Sequence, residues 1–330
     1  MNTIKPFVKW AGGKGSLIPQ LQDYYPIDIG NEIDKYIEPF LGGGAVLIHI
    51  LQNYNIKEAY AFDINIDLIN CYNVIKYNVE NLIQELEKKE KYFFNLNEEK
   101  ASEYFYIIRK EYNSYNLEEN EMNVKRASEF IFLNRTCFNG LYRVNKSGKF
   151  NVPFGKYKNP QICNASNLRK LSKLIQNVNF EFGDYTNSDK YIDSKSFVYF
   201  DPPYRPLSLT SGFTSYTKEE FNDNNQKELA NFFKSLDRKR AKLMLSNSNP
   251  KNTNINDNFF EEIYKGFYIN EIYSKRRINS NAKGRGEISE LLITNYNKVK
   301  VKTNAKAKKA MFLMENNTLN MLRQLEVSSL

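Results

Sequence analysis

Ser196-Phe197-Val198-Tyr199-Phe200-Asp201-Pro202-Pro203-Tyr204 is the stretch that decides the fold. Phe197 to Phe200 is an apolar run of good strand formers that stops on a carboxylate. Two prolines follow. They cannot continue a central strand, so the chain must leave its sheet at Asp201. A carboxylate, a peptide carbonyl and an aromatic ring are thereby fixed at the end of a strand. In open α/β sheets the carboxyl edge is where ligands bind.

Working outward, other segments repeat the strand-then-acid pattern. Lys35-Tyr36-Ile37-Glu38-Pro39-Phe40 reads as a strand, with Leu41-Gly42-Gly43-Gly44 after it and an apolar helical start at Ala45 to Ile48. Glu58 to Asp63 and Phe180 to Asp184 read as strands that also end on carboxylates. Later strands are expected at Leu243 to Ser246, Tyr268 to Ile272 and Ile288 to Tyr296, with a helix near 218–236. Strands alternating with helices predict a parallel α/β sheet. Between 66 and 178 the period changes. Leu68, Ile69, Tyr72, Ile75, Val79, Leu82, Ile83 and Leu86 recur at helical spacing, as do Tyr104, Phe105, Ile108 and Tyr112, and then Ala127, Phe130 and Ile131. Leu141 to Val144 and Lys149 to Val152 flank Asn145-Lys146-Ser147-Gly148, which predicts a hairpin. The expectation is a helical insertion over 66–178 tipped by this hairpin. After Tyr296 the chain turns basic. That tail suits a solvated end, with Met311 to Leu325 able to form a short amphipathic helix.

Composition narrows the classes. The chain has 330 residues, a net charge of +9 and 41% hydrophobic residues, enough for a sizeable core. The positive balance admits a polyanionic partner without proving one. Aromatics at 14% could stack on bases, or could reflect a composition rich in Asn, Lys, Ile, Tyr and Phe alike. No apolar run approaches the ~18 residues of a membrane span, and the start Met1-Asn2-Thr3-Ile4-Lys5 predicts no signal peptide. Cys71, Cys137 and Cys163 are widely spaced, form no metal motif, and fit a reducing cytoplasm. A single histidine, His49, argues against a Ser-His-Asp site or a histidine zinc site.

Two places carry chemistry. Gly42-Gly43-Gly44, between a strand and a helix, lets backbone approach a ligand closely. Asp63, at the end of the next strand, is placed to accept ribose hydroxyls as in dinucleotide folds. The full G-x-G-x-x-G is absent because Leu47 takes the third glycine's place, and Gly13-Lys14 is followed by Gly15 rather than Ser or Thr, so no phosphate-binding P-loop is present. The second place is Asp201-Pro202-Pro203-Tyr204. Asp201 and the Pro202 carbonyl can each accept a hydrogen from an exocyclic amino group, and Tyr204 can stack on a planar base. Two such acceptors turn the amino lone pair out of the base plane toward an electrophile. The same tetrapeptide also suits an ordinary loop opened by an N-capping Asp.

Taken together, the motifs resemble a family. Pro6 to Lys14 (PFVKWAGGK), Glu38 to Gly44 (EPFLGGG) and Asp201 to Tyr204 (DPPY) stand in the order found in Dam-type (alpha-class, D12) DNA adenine methyltransferases. Phe138 to Arg143, Phe150 to Gly155 and Ser274 to Leu292 extend the likeness over roughly 5–295. The resemblance implies a Rossmann-like methyltransferase sheet of seven strands that binds S-adenosylmethionine (AdoMet), with a helical target-recognition insertion carrying the hairpin. It divides the chain into an AdoMet-binding catalytic part (1–65 and 179–297), a target-recognition part (66–178) and a basic tail (298–330).

It also implies residue roles. AdoMet would lie over Phe40, Gly42 and Gly44, with Asp63 on its ribose, Asp184 and Tyr185 on its adenine, Trp10 and Lys14 at its methionine end, and Asp201 adjoining. No metal is expected. Asp201, Pro202 and Tyr204 would carry a direct in-line methyl transfer to adenine N6. The adenine would be flipped out of duplex DNA, since a stacked base is inaccessible. The family's usual site is GATC. Arg143 would read a guanine, Leu141 and Pro153 a thymine methyl, and Phe138 would wedge into the opened stack beside Asn139, with Lys9 and Tyr157 at further recognition positions. Lys275, Arg276 and Arg277, continuing to Lys283 and Arg285, suit a phosphate clamp or a merely solvated charge run. A cytosine-N4 or RNA methyltransferase shares the DPPY residues, but the hairpin favours adenine in GATC. A noncatalytic DNA-binding module is disfavoured by the intact acceptor and glycine loop. The resemblance implies a cytoplasmic enzyme of a bacterium, or of a phage within one, with a restriction endonuclease as a genetic rather than physical partner, or else a solitary Dam-like role.

Overall fold

Ser196–Phe200 (β4) is buried along its whole length, and its position explains the rest of the architecture. The structure is a computed structural model that describes residues 3–118, 121–206, 221–275 and 287–298. The chain divides into Met1–Asn297 and Lys298–Leu330, and the sheet and its helices belong to the first unit. Around β4 lie Lys35–Glu38 (β1), Glu58–Asp63 (β2), Val178–Phe182 (β3), Lys242–Ser248 (β5), Tyr268–Lys275 (β6) and Glu287–Thr294 (β7). They form one seven-stranded sheet in the order β3-β2-β1-β4-β5-β7-β6. β1 to β5 are parallel, and β7 runs antiparallel to both β5 and β6.

The pleat explains why both faces are covered. Tyr36, Phe197, Tyr199 and Met244 point to one side and join a core with the helices of the first 180 residues. Ile37, Val198, Phe200, Leu243 and Leu245 point to the other and pack on Leu229, Phe233, Leu236, Phe260 and Tyr264. A strand buried on both faces has no polar alternation, which is why the run Phe197 to Phe200 is continuously apolar.

The helices are Ile18–Leu21 (α1), Ala45–Asn53 (α2), Ile66–Tyr77 (α3), Val79–Phe94 (α4), Glu98–Tyr112 (α5), Val124–Thr136 (α6), Ala165–Leu174 (α7), Asp223–Asp237 (α8) and Phe259–Ile263 (α9). Asparagine starts most of the long ones. The side chains of Asn65, Asn97, Asn123, Asn164 and Asn222 each accept a backbone N–H from the first turn of α3, α5, α6, α7 and α8. Each satisfies a donor that the helix cannot use itself. α3 to α7 fill the span between β2 and β3, where the sequence predicts a helical insertion. The sequence reading names no helix at α7. Its apolar residues, Leu168, Leu171 and Leu174, form a narrow stripe in an otherwise polar segment. The predicted hairpin is reduced to a single antiparallel bridge, Val144 with Phe150. Asn145 N–H donates to the Lys149 carbonyl at 2.9 Å and Asn151 N–H to the Arg143 carbonyl at 3.1 Å. Arg276, Arg277, Lys283, Arg285 and Met311 to Leu325 lie outside the described residues, and of Lys275 only the backbone is described.

A charged group is buried among these helices. Arg126, 4% exposed, meets Asp67, 6% exposed, through Nε to Oδ1 at 2.6 Å and Nη2 to Oδ2 at 3.1 Å. Tyr112 donates its hydroxyl to the same carboxylate at 2.6 Å, and the Tyr112 and Tyr115 carbonyls accept from the guanidinium. Removing one partner leaves a buried charge unpaired. Arg126→Met is therefore expected to cost about 3–5 kcal/mol in urea-unfolding stability, and a loss near zero would contradict this account of the pair.

Candidate active site

The order of the strands brings two sequence-distant loops together. From β1 the chain proceeds outward to β2 and β3, then returns to β4 on the other side of β1 and continues to β5. The direction of winding reverses between β1 and β4, so loops leaving their carboxyl ends diverge and open a crevice. Glu38-Pro39-Phe40 leaves one end and Asp201-Pro202 the other. Both motifs singled out from the sequence therefore stand at one topological switch point.

On the β1 side the chain turns tightly into α2. Gly42 and Gly44 have φ of +49° and +65°, the left-handed region that favours glycine. Space is also missing. A Cβ on Gly44 would lie 2.4 Å from the Tyr72 hydroxyl, and one on Gly42 2.9 Å from the Trp10 indole. The carboxylate of Asp63, at the end of β2, ties the loop down. It accepts Gly42 N–H at 2.9 Å and Asn65 N–H at 2.8 Å. Burial pushes its carboxyl up to about 6, against the pull of those two N–H groups. Phe40 stacks on Tyr185 with ring centroids 5.3 Å apart, and Asp184, exposed, caps the turn that carries Tyr185 by accepting Thr186 N–H at 3.0 Å.

On the β4 side, Asp201 faces a buried ammonium. Lys14, 5% exposed, reaches Asp201 Oδ1 at 2.8 Å and donates to the Gly12 carbonyl at 2.8 Å. Its Nζ also lies 4.5 Å from the centroid of the Tyr204 ring. Burial lifts the Asp201 carboxyl above the ordinary carboxylate range, Lys14 opposes the lift, and Glu290 adds to it. Behind it, Glu38 accepts the Tyr36 hydroxyl at 2.7 Å, and burial drives its carboxyl strongly upward. The loop itself is fastened at successive residues. Gln226 donates to the Pro203 carbonyl at 3.0 Å, the Tyr204 hydroxyl donates to Glu290 at 2.6 Å, and Arg205 binds Asp223 and Asp257, each at 2.7 Å. Among the described residues no donor is paired with the Pro202 carbonyl.

The N-terminal segment links these groups to the proposed reading face. Trp10 stacks on Tyr142 at 5.6 Å and 22°. The buried amide of Asn134 accepts Lys9 N–H at 2.8 Å and donates to the carbonyls of Lys9 and Gly140. The Lys9 ammonium caps the Tyr157 ring at 4.4 Å. Phe138 is 51% exposed, and Asn139 beside it is held at φ +56°. Phe138 N–H donates to the Pro153 carbonyl at 2.9 Å. Arg143 is exposed and donates to Asn151 Oδ1 at 2.8 Å. Leu141, which precedes Trp10's partner Tyr142, is half-buried.

The sequence-predicted residues thus fall into contact groups: Lys14 with Asp201 and Tyr204, Trp10 beside Gly42 and Asp63 on the Gly42 N–H, Phe40 with Tyr185, and Lys9 with Tyr157. Arg143 pairs with Asn151 rather than with any of these. Several supporting residues were not foreseen. Gln226 and Asn134 are polar residues on helices and give no local signal. Glu290 had one: it is a carboxylate inside the mostly apolar strand Ile288 to Ile293.

Comparison with known proteins places the chain in a family. The family model for the D12 class N6 adenine-specific DNA methyltransferases matches residues 10–278. A Type II methyltransferase, M.MjaIII of Methanocaldococcus jannaschii, is 51% identical over 89% of this chain and 99% of its own length. The Type II methyltransferase M1.LlaDCHI of Lactococcus lactis subsp. cremoris is 37% identical over 89% of this chain and 96% of its own. A DNA adenine methylase of Haemophilus influenzae is 34% identical over 87% and 92% respectively. The chain belongs to the D12 class of N6 adenine-specific DNA methyltransferases.

Proposed function

We propose that this adenine-N6 DNA methyltransferase takes its methyl group from AdoMet and acts on an adenine flipped out of duplex DNA, within GATC. The observation that carries the reading is the placement of Asp201 at the sheet's switch point, beside the Tyr204 ring and a Pro202 carbonyl that meets no donor among the described residues.

The residues present suit the donor. The turn over Gly42 and Gly44 leaves no room for side chains. Asp63, with one backbone N–H on each oxygen, retains lone pairs for ribose hydroxyls. Phe40 and Tyr185 offer an aromatic surface, and Asp184 an exposed acceptor. Trp10 and Lys14 border the methionine end. When bound, AdoMet supplies a methyl already activated by its sulfonium, suited to direct in-line transfer.

The protein's own task is then positioning. Asp201 and the Pro202 carbonyl accept the two amino hydrogens and favour a pyramidal nitrogen. Tyr204 supports the ring. The nitrogen's proton becomes acidic as its new bond forms, so no strong base is needed and a chain with one histidine suffices. Lys14, 2.8 Å away, favours the charged form of Asp201 against its burial.

On the reading face, Arg143 and the turn around it suit a guanine, with Leu141 and Pro153 near a thymine methyl, Phe138 as the wedge, and Lys9, Asn139 and Tyr157 along the approach. Lys275, Arg276 and Arg277 complete the proposal as phosphate contacts. This division treats 66–178 as the recognition part and 1–65 with 179–297 as the catalytic part. Similarity to two Type II methyltransferases supports a modification role, with a restriction endonuclease as genetic partner.

Asp201→Ala is expected to slow methyl transfer by about 10²–10³ or more while AdoMet still binds in calorimetry; normal turnover would contradict the acceptor role. Arg143→Ala should reduce discrimination against a substituted guanine by ~1–3 kcal/mol, whereas an equal loss on every sequence would mark a phosphate contact. For Asp63 the sign follows from its raised value. The charged form accepts the ribose hydroxyls, so AdoMet affinity should hold above about pH 6 and weaken as pH falls through about 6. Titration calorimetry showing a flat affinity across that range would contradict it.

A further inference from the structure

We propose that Glu290 is a positioning residue for methyl transfer: its bond to the Tyr204 hydroxyl sets the plane on which the target base rests. The inference rests on the reading of Tyr204 as the ring that supports the base. Glu290 lies on β7, opposite Ser248 of β5 and Ile272 of β6. Because β7 is antiparallel, its early residues stand at the same edge where the parallel strands end. A carboxylate there reaches the loop after β4 although 86 positions separate it from Tyr204.

The geometry is that of a directed support. The hydroxyl of Tyr204 donates to Glu290 Oε2 at 2.6 Å, a short charge-assisted bond. Among the described residues, Asp201 is engaged with Lys14, and Arg205 with Asp223 and Asp257. The strand beneath Glu290 is braced too. Asn252 donates to the Ser289 carbonyl at 2.7 Å, and Asn249 to the Ser289 hydroxyl at 2.8 Å. A phenylalanine at 204 would stack equally well but would lack this anchor and could tilt about its Cα–Cβ axis. Since the amino group must meet Asp201 and the Pro202 carbonyl together, a tilted ring misplaces the nucleophile after binding rather than preventing binding. The effect belongs to the rate of transfer.

Four variants of the full chain, Glu290→Ala, Glu290→Gln, Tyr204→Phe and Tyr204→Ala, together with the double variant Glu290→Ala/Tyr204→Phe, test this in single-turnover methylation of a GATC duplex at saturating AdoMet. Glu290→Ala and Tyr204→Phe are each expected to lower the rate roughly tenfold, the size of one charge-assisted hydrogen bond, with AdoMet affinity unchanged. The double variant should be no slower than either single one, because both remove the same bond. Glu290→Gln, which keeps an acceptor, should recover most of the loss. Should Glu290→Ala not fold, Tyr204→Phe and Glu290→Gln still decide the matter. An inactive Tyr204→Ala with wild-type rates in Tyr204→Phe and Glu290→Ala, or single losses that multiply in the double variant, would overturn the role of Glu290 alone. A wild-type rate in Tyr204→Ala would overturn the reading of Tyr204 on which it rests.

Discussion

The ion pair between Lys14 and Asp201 is the constraint on which the rest of the site depends. β4 is buried on both faces, so a carboxylate at its end sits in a poor place for a charge. Lys14 makes the charge tolerable at 2.8 Å, and the lysine's own burial is tolerable only because Asp201 and the Gly12 carbonyl accept its hydrogens. Each partner fixes the other. The pair therefore also fastens the N-terminal segment to the end of β4. Along that segment Trp10 limits the glycine turn and Lys9 meets the Tyr157 ring and the Asn134 amide. One electrostatic contact thus links Asp201, the glycine loop and the proposed reading face.

Rigidity around this pair comes from ordinary sources applied in sequence. The prolines end the strand. Gln226 fixes the carbonyl of Pro203, Glu290 the hydroxyl of Tyr204, and Arg205 bridges Asp223 and Asp257. Gln226 and Asp223 belong to α8, Glu290 to β7, and Asp257 precedes α9. The loop is therefore held from α8, β7 and the segment before α9 together. A methyl transfer in which the donor is already activated asks mainly for such fixed geometry. Among the described residues no cluster of metal ligands occurs, and the chemistry proposed uses only acceptors and an aromatic surface.

Much of this was legible in the sequence, for definable reasons. Asp201-Pro202-Pro203 marks a strand end because proline has no N–H to give. Gly42 and Gly44 mark a tight turn, and both take a positive φ. Helical periodicity between 66 and 136 marks three helical runs because their apolar residues face a common core, and the structure divides the first run, Leu68 to Leu86, at Asn78 into α3 and α4. What was not legible depends on tertiary contact. Lys14 is named as a site residue by the resemblance, but its ion pair with Asp201 joins residues far apart in the sequence and shows only in the fold. Glu290 reads as a strand residue until β7 is known to run antiparallel. α7 presents only three leucines, and the turn after Leu141 closes through one bridge rather than two strands.

The central claim is that the acid at residue 201 and the carbonyl at 202 grip the amino group of an extruded adenine. The most direct measurement is a crystal structure of this chain with an unreactive AdoMet analogue and a GATC duplex. The account expects the adenine outside the helix, its N6 within about 3 Å of both the Asp201 carboxylate and the Pro202 carbonyl, and its ring against Tyr204. A base still stacked in the duplex of a fully assembled complex, or an N6 that touches neither acceptor, would contradict it.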